Sequence, residues 1–209
     1  MSQLKVPYFK QESGLTCGLA CLRMALGYYG DQTTEKELVK QIQVHKYGIF
    51  TTDLGVLAQK RGYKTTIFSI HLRLLAPLKL PFGTEVSTKI LAKVKPTATD
   101  KKTYDSWQEY LKSGGRLVWD VPKVSMIESF IAKRIPCLVN INTAALNRYW
   151  KNWDNGHYLT VNGVVKDNIS VLDPDPWDKT DYFIEKDVFL PSWAINAKLS
   201  SGFLMVIEK

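Results

Sequence analysis

Up to Pro136 the apolar positions of this chain recur every three or four residues, and beyond it they gather into short β-branched runs. Leu19, Leu22, Leu26 and Tyr29 fall on such a spacing with Ala and Met between them and Gly30 just beyond, which predicts a helix over 18–29. It is apolar on nearly every side, so it should be the buried central helix. Thr34 and Glu37 have the spacing of a capping box and predict a second helix running to about Val44. A third should follow Thr51-Thr52-Asp53 and end at Gly62. Two more are expected near 104–112, stopped by Gly114-Gly115, and near 124–133, stopped before Pro136.

The runs 137–142, 158–165, 169–172 and 203–207 read as strands. Lys166-Asp167-Asn168 is a tight polar connection and predicts an antiparallel hairpin. Helices first and an antiparallel sheet afterwards indicate an α+β architecture in two lobes. The stretch 71–102, broken by Pro77, Pro81, Gly83 and Pro96, fits no long period and is read as an insertion in one domain spanning 1–209.

At 209 residues, 45% of them hydrophobic and 23% charged, the chain can bury a sizeable core without disulfides or a structural metal. No apolar run approaches the roughly 20 residues needed to span a bilayer, and the N-terminal residues lack the apolar stretch of a secretory signal. With three cysteines, an odd number, the expected setting is a reducing cytoplasm. The formal charge of +8 is concentrated in 71–102, which holds seven Lys or Arg against Glu85 and Asp100. Such a segment reads first as a solvated basic face. Neither a phosphate-cradling glycine loop nor an aromatic-basic nucleic-acid pattern is present, so neither a nucleotide cofactor nor a nucleic acid is expected.

Cys17 stands where the first helix begins, and unpaired N–H groups with the helix dipole favour a thiolate at such a position. A nucleophilic thiol needs a base and a group to orient it. Of the three histidines, His45 and His71 lie beside basic residues with no acid evident nearby, whereas His157 opens the first strand of the hairpin. Asp173 ends the returning strand, where Pro174 stops the ladder, so the two side chains can meet across it. Gln11, six residues before Cys17, can return to the same pocket and donate to an oxyanion together with the Cys17 backbone N–H.

Val6-Pro7-Tyr8-Phe9, Gln11, Cys17-Gly18, Ala20-Cys21-Leu22, Met24 and Tyr28-Tyr29-Gly30, followed by Gly156-His157-Tyr158 and Asp173-Pro174, resemble the peptidases that process double-glycine leaders of bacteriocins. The resemblance covers 4–65 and 134–175. It implies a papain-like cysteine peptidase fold, with an N-terminal helical lobe, a C-terminal β lobe and the active site between them. It also implies Cys17 as nucleophile, His157 as base, Asp173 as orienter and Gln11 at the oxyanion hole. Thr16 stands where such peptidases commonly carry Asp, and the exporter fused to the best-known members is absent from this sequence. A stand-alone peptidase acting on a peptide or protein, with a separate exporter as partner, is the expectation.

Other classes remain open at this stage. The same residues would serve an acyltransferase or transpeptidase that passes the acyl group to an amine or thiol, and a non-catalytic peptide-binding module would keep the cleft alone. Cys21, one turn after Cys17, and Cys137 on a strand read as core residues, because two thiols and a distant histidine leave a zinc site short of a ligand. Tyr149, Trp150, Trp153 and Trp177 flank the two halves of the His157–Asp173 pair and could either wall a cleft or pack on the sheet.

Overall fold

The structure, a computed structural model, describes residues 3–46, 48–143, 156–175, 179–198 and 200–209. Its α-helices are α1 (Cys17–Tyr28), α2 (Glu35–Val39), α3 (Thr51–Lys60), α4 (Leu72–Leu75), α5 (Thr88–Leu91), α6 (Lys101–Lys112), α7 (Val124–Ala132) and α8 (Lys186–Ala197). Its strands are β1 (Lys64–Ser69), β2 (Thr84–Glu85), β3 (Arg116–Trp119), β4 (Cys137–Asn142), β5 (Gly156–Val165), β6 (Asn168–Leu172), β7 (Asp181–Glu185) and β8 (Leu204–Glu208). They form one sheet in the order β2-β3-β1-β8-β4-β5-β6-β7. The aromatic residues at 149, 150, 153 and 177 lie outside the described residues.

This is the α+β fold expected from the texture of the chain, but the sheet reaches into the N-terminal half. β1 and β3 pair in parallel, and every other pairing is antiparallel. Both are nearly continuous buried runs with little alternation, which is what strands covered on both faces look like. Beside the stronger helical periods such runs carry no strand signature of their own. α8 is masked in the sequence in the same way, because Pro191 lies inside it.

Two hydrophobic clusters lie on opposite faces of the sheet. Along β8, Met205 and Ile207 join Leu19, Leu22 and Leu26 of α1 and Leu54 and Leu57 of α3. Their neighbours Leu204 and Val206 join Ile127 and Ile131 of α7 and Phe189 and Trp193 of α8. This strict alternation fixes the strand's register, since a one-residue slip would exchange its two faces. Helix α1 is thereby held against β5, the strand that carries His157.

The helix ends follow local chemistry. Thr34 Oγ1 accepts from Glu37 N, and Glu37 Oε2 accepts from Thr34 N, completing the capping box. α2 stops at Val39, short of Val44, where Gln41 Nε2 donates to the Glu37 carbonyl at 3.1 Å and takes over one of the last acceptors. The segment 71–102 is part of the core: Leu74, Leu75, Val86, Leu91 and Val94 are buried in the α1 cluster, with the lysines left outside. Among the described residues no helix is long and apolar enough to cross a membrane.

Candidate active site

The turn Ser13–Thr16 sets the start of α1. Thr16 Oγ1 donates to Ser13 O at 2.9 Å and accepts from Ser13 N at 3.1 Å, so its hydroxyl is spent inside the turn and gives α1 no side-chain cap. The first N–H groups of the helix, that of Cys17 foremost, are left to serve another acceptor. Gly18 lets the helix approach β5 closely, because a Cβ there would lie 3.1 Å from Leu54 and 3.2 Å from Tyr158. Cys17 is half-buried; Cys21 and Cys137 are fully buried free thiols, both pushed up by burial.

His157 sits at the second position of β5 and is 8% exposed. The hairpin turns over Lys166 and Asp167, with Lys166 in the left-handed region at φ 52°, and a register shift between Val161 and Gly163 moves the far end of β5 along β6. His157 Nε2 lies 2.9 Å from Asp173 Oδ1. Cys17 lines the same cavity as His157 and acts on the imidazole through side-chain hydrogen bonding and charge. Burial alone would pull the imidazole's pKa down, but the bonds to Asp173 and Cys17 and their negative charges outweigh it and push it up to about 10.

Asp173 is completely buried. Its Oδ1 also accepts from Asp175 N at 2.9 Å, and its Oδ2 accepts from the Tyr182 hydroxyl at 2.7 Å. A buried carboxylate is costly unless its lone pairs are met, and three donors meet them here. Tyr182, on the edge strand β7, was not singled out from sequence. Its only signal is a polar-tipped aromatic nine residues past Asp173, in a strand whose alternation is too weak to be read.

Gln11 is 9% exposed, and its backbone N–H donates to Pro174 O at 2.9 Å. The loop before α1 is thus tied to the residue after Asp173. Glu35, 1% exposed at the start of α2, props the same loop by accepting from Glu12 N at 3.1 Å; burial pushes its carboxyl up. Sequence gave no hint of it beyond an acid in the first turn of a helix.

The cleft passes over Cys17. On the side of Gln11, His157 and Asp175 lies a cavity of about 170 Å³ that also touches Gly14 and Leu15. On the other side a cavity of about 580 Å³ runs between the Gly48–Phe50 loop and α8. Cys17, His157 and Gln11 therefore line one cleft, with Asp173 buried behind His157. The other two histidines do have acids, contrary to expectation: His45 Nε2 lies 3.5 Å from Asp53 Oδ2, and His71 Nε2 lies 3.8 Å from Asp100 Oδ1. Asp53 lies eight residues after His45 and Asp100 twenty-nine after His71, and neither pair includes a cysteine. Among the described residues no group of three or more His, Cys, Asp or Glu could hold a metal.

Residues 5–90 match the Peptidase C39 family. Among curated proteins none matches the chain. Three solved structures share its fold over nearly their whole length. A double glycine motif protease from an AMS/PCAT transporter, in complex with the leader peptide, is 16% identical, with 99% of this chain and 94% of that chain covered and a TM-score of 0.51. The peptidase domain of Streptococcus ComA, a bifunctional ABC transporter in a quorum-sensing pathway, is 15% identical, with 96% of each covered and a TM-score of 0.50. A C39-like peptidase from Bacillus anthracis is 13% identical, with 100% and 98% covered and a TM-score of 0.58. The family resemblance and the papain-like fold read from the sequence are borne out.

Proposed function

We propose, from the premise that residues 5–90 carry the Peptidase C39 family and the whole chain its fold, that this protein is a cysteine peptidase with Cys17, His157, Asp173 and Gln11 as its working residues. The observation that carries the reading is the hydrogen-bonded pair His157–Asp173 set behind Cys17 at a cleft open on both sides. A thiol at an uncapped helix start, an imidazole and a buried acid arranged in that order have the parts needed for covalent acyl transfer.

In this mechanism His157 accepts the Cys17 proton, and the sulfur attacks the scissile carbonyl carbon. The carbonyl electrons move to oxygen, which accepts hydrogen bonds from Gln11 Nε2 and the Cys17 N–H. Collapse breaks the C–N bond, and His157 delivers its proton to the leaving amine. Water, deprotonated by His157, then attacks the thioester, releasing the acid and restoring the thiol. Asp173 Oδ1, accepting from His157 Nε2–H, keeps the ring facing the sulfur throughout.

The substrate in this reading is a peptide cut after a glycine-rich leader, in keeping with the leader peptide bound to the neighbouring transporter protease. The test is mass spectrometry of peptides incubated with wild type and Cys17→Ala. Cleavage by the first and none by the second is expected; equal cleavage by both would remove Cys17 from the chemistry.

A further inference from the structure

The larger cavity beside Cys17 carries several polar side chains that no step above uses. Asn140, on β4, and Asn196, on α8, meet at its wall, with Asn196 Nδ2 donating to Asn140 Oδ1 at 2.6 Å. That bond uses one N–H of Asn196 and one lone pair of Asn140. Whichever way the two amides are turned, the pair presents one remaining NH₂ and one remaining carbonyl oxygen. Ser200 lines the same cavity, and its buried hydroxyl has no hydrogen-bond partner. A buried polar atom left unmatched is costly, and a bound group that matches it recovers that cost. Among the described residues no carboxylate lines this cavity, and Lys198 is its one charged side chain.

The chemistry orients the substrate. His157 must protonate the leaving amine, so the segment C-terminal to the scissile bond belongs on the smaller cavity, which His157 and Gln11 line. The larger cavity touches Cys17 but is lined by neither of those two, and it is left for the acyl segment. A C-terminal glycine fills little of about 580 Å³, whereas a longer side chain further along the segment can reach the amide pair.

We propose that this cavity is a specificity subsite on the acyl side that selects a carboxamide side chain, Gln or Asn, through the Asn140–Asn196 pair. A carboxamide offers one acceptor edge and one donor edge, which complement the free NH₂ and C=O of the pair. A carboxylate matches only the donor and faces the carbonyl unfavourably; an aliphatic side chain matches neither, and leaves both unpaired. This inference rests on the peptidase reading for its direction along the cleft, but its test does not require turnover.

Binding of synthetic decapeptides to the Cys17→Ala protein, with Gln, Glu, Leu or Lys placed in turn at each of the four positions before the glycine at the cleavage site, measures the preference by fluorescence anisotropy. At one position Gln should bind roughly tenfold tighter than Leu, the scale of one or two hydrogen bonds. Asn196→Ala should level that difference while Lys198→Gln, at the cavity rim, leaves it in place. A preference for Glu that Lys198→Gln abolishes would mean that the ammonium reads the substrate, and would overturn the proposal. So would equal binding of all four side chains at every position, which would mean that only the peptide backbone is held. Wild-type hydrolysis of the same peptides, measured in parallel, reports separately on the peptidase reading.

Discussion

Gln11 and Pro174 are joined main chain to main chain, with Gln11 N donating to Pro174 O at 2.9 Å. One bond therefore ties the loop that precedes the thiol to the residue that follows the buried acid, so the two halves of the site share a fixed spacing. Gln11→Ala keeps that backbone bond and removes only the side-chain amide. Its expected effect is a fall in kcat of about 10- to 10³-fold with little change in KM, as for other lost oxyanion donors. Steady-state kinetics decides the matter; an unchanged kcat would take Gln11 out of the oxyanion site.

Tyr182 gives Asp173 its third donor. In Tyr182→Phe the buried Oδ2 loses a 2.7 Å hydrogen bond. A stability loss of about 1–3 kcal/mol is expected, with kcat reduced several-fold. The role is one of positioning, so the informative readout is the imidazole: the His157 ¹⁵N resonances should report a weaker Nε2–H bond to Asp173. A variant with unchanged resonances and slower turnover would point to general destabilisation.

The three thiols differ sharply in access. Cys21 and Cys137 are fully buried, with their thiols pushed up by burial, whereas Cys17 is half-buried in the cleft beside an imidazole. Native protein treated with limiting iodoacetamide should gain one adduct, at Cys17, and should gain all three only after denaturation. Peptide mapping reads this directly. His157→Ala should slow the single native adduct.

The site was more legible than the scaffold that holds it. Cys17 is marked by its position at the start of an apolar helix, and His157 and Asp173 by the two ends of a hairpin whose polar turn is plain in the sequence. These are local signals, and local signals survive reading one chain. Tyr182, Glu35 and the acids beside His45 and His71 reach their partners only through tertiary packing. β1 and β3 were lost for a related reason: strands buried on both faces shed the alternation that identifies a strand. The apolar residues of 71–102 likewise carried no period, yet they complete the core beneath α1.

Glu35 lets a pH effect be assigned a sign. Its folded carboxyl is raised by burial, so between the unfolded value of about 4.3 and the folded one the native state holds more protons than the unfolded state. Stability falls as pH rises through that window, and the cost persists at neutral pH. Glu35→Gln keeps an acceptor for Glu12 N without the buried charge. It should raise the melting temperature at pH 7 and leave it nearly unchanged at pH 4. A lower melting temperature at pH 7 would mean that the negative charge itself holds the loop.

His157 has the opposite sign. Its folded pKa, pushed up to about 10 against an unfolded value of about 6.5, means that the folded imidazolium contributes stability in full below about 6.5, and that this is lost as pH rises through 10. Part of the elevation comes from Cys17, through both a hydrogen bond and its charge, and part from Asp173. Cys17→Ala removes the first part, so the His157 titration followed by NMR should move to lower pH, with Asp173 still bonded at Nε2. Asp173→Asn removes the second part and should also lower it. The stability gap between wild type and Cys17→Ala should then narrow as pH climbs past 10, because His157 is neutral in both proteins there. A titration midpoint identical in wild type and Cys17→Ala would mean that the sulfur and the imidazole do not interact, and the proposed mechanism would lose its first step.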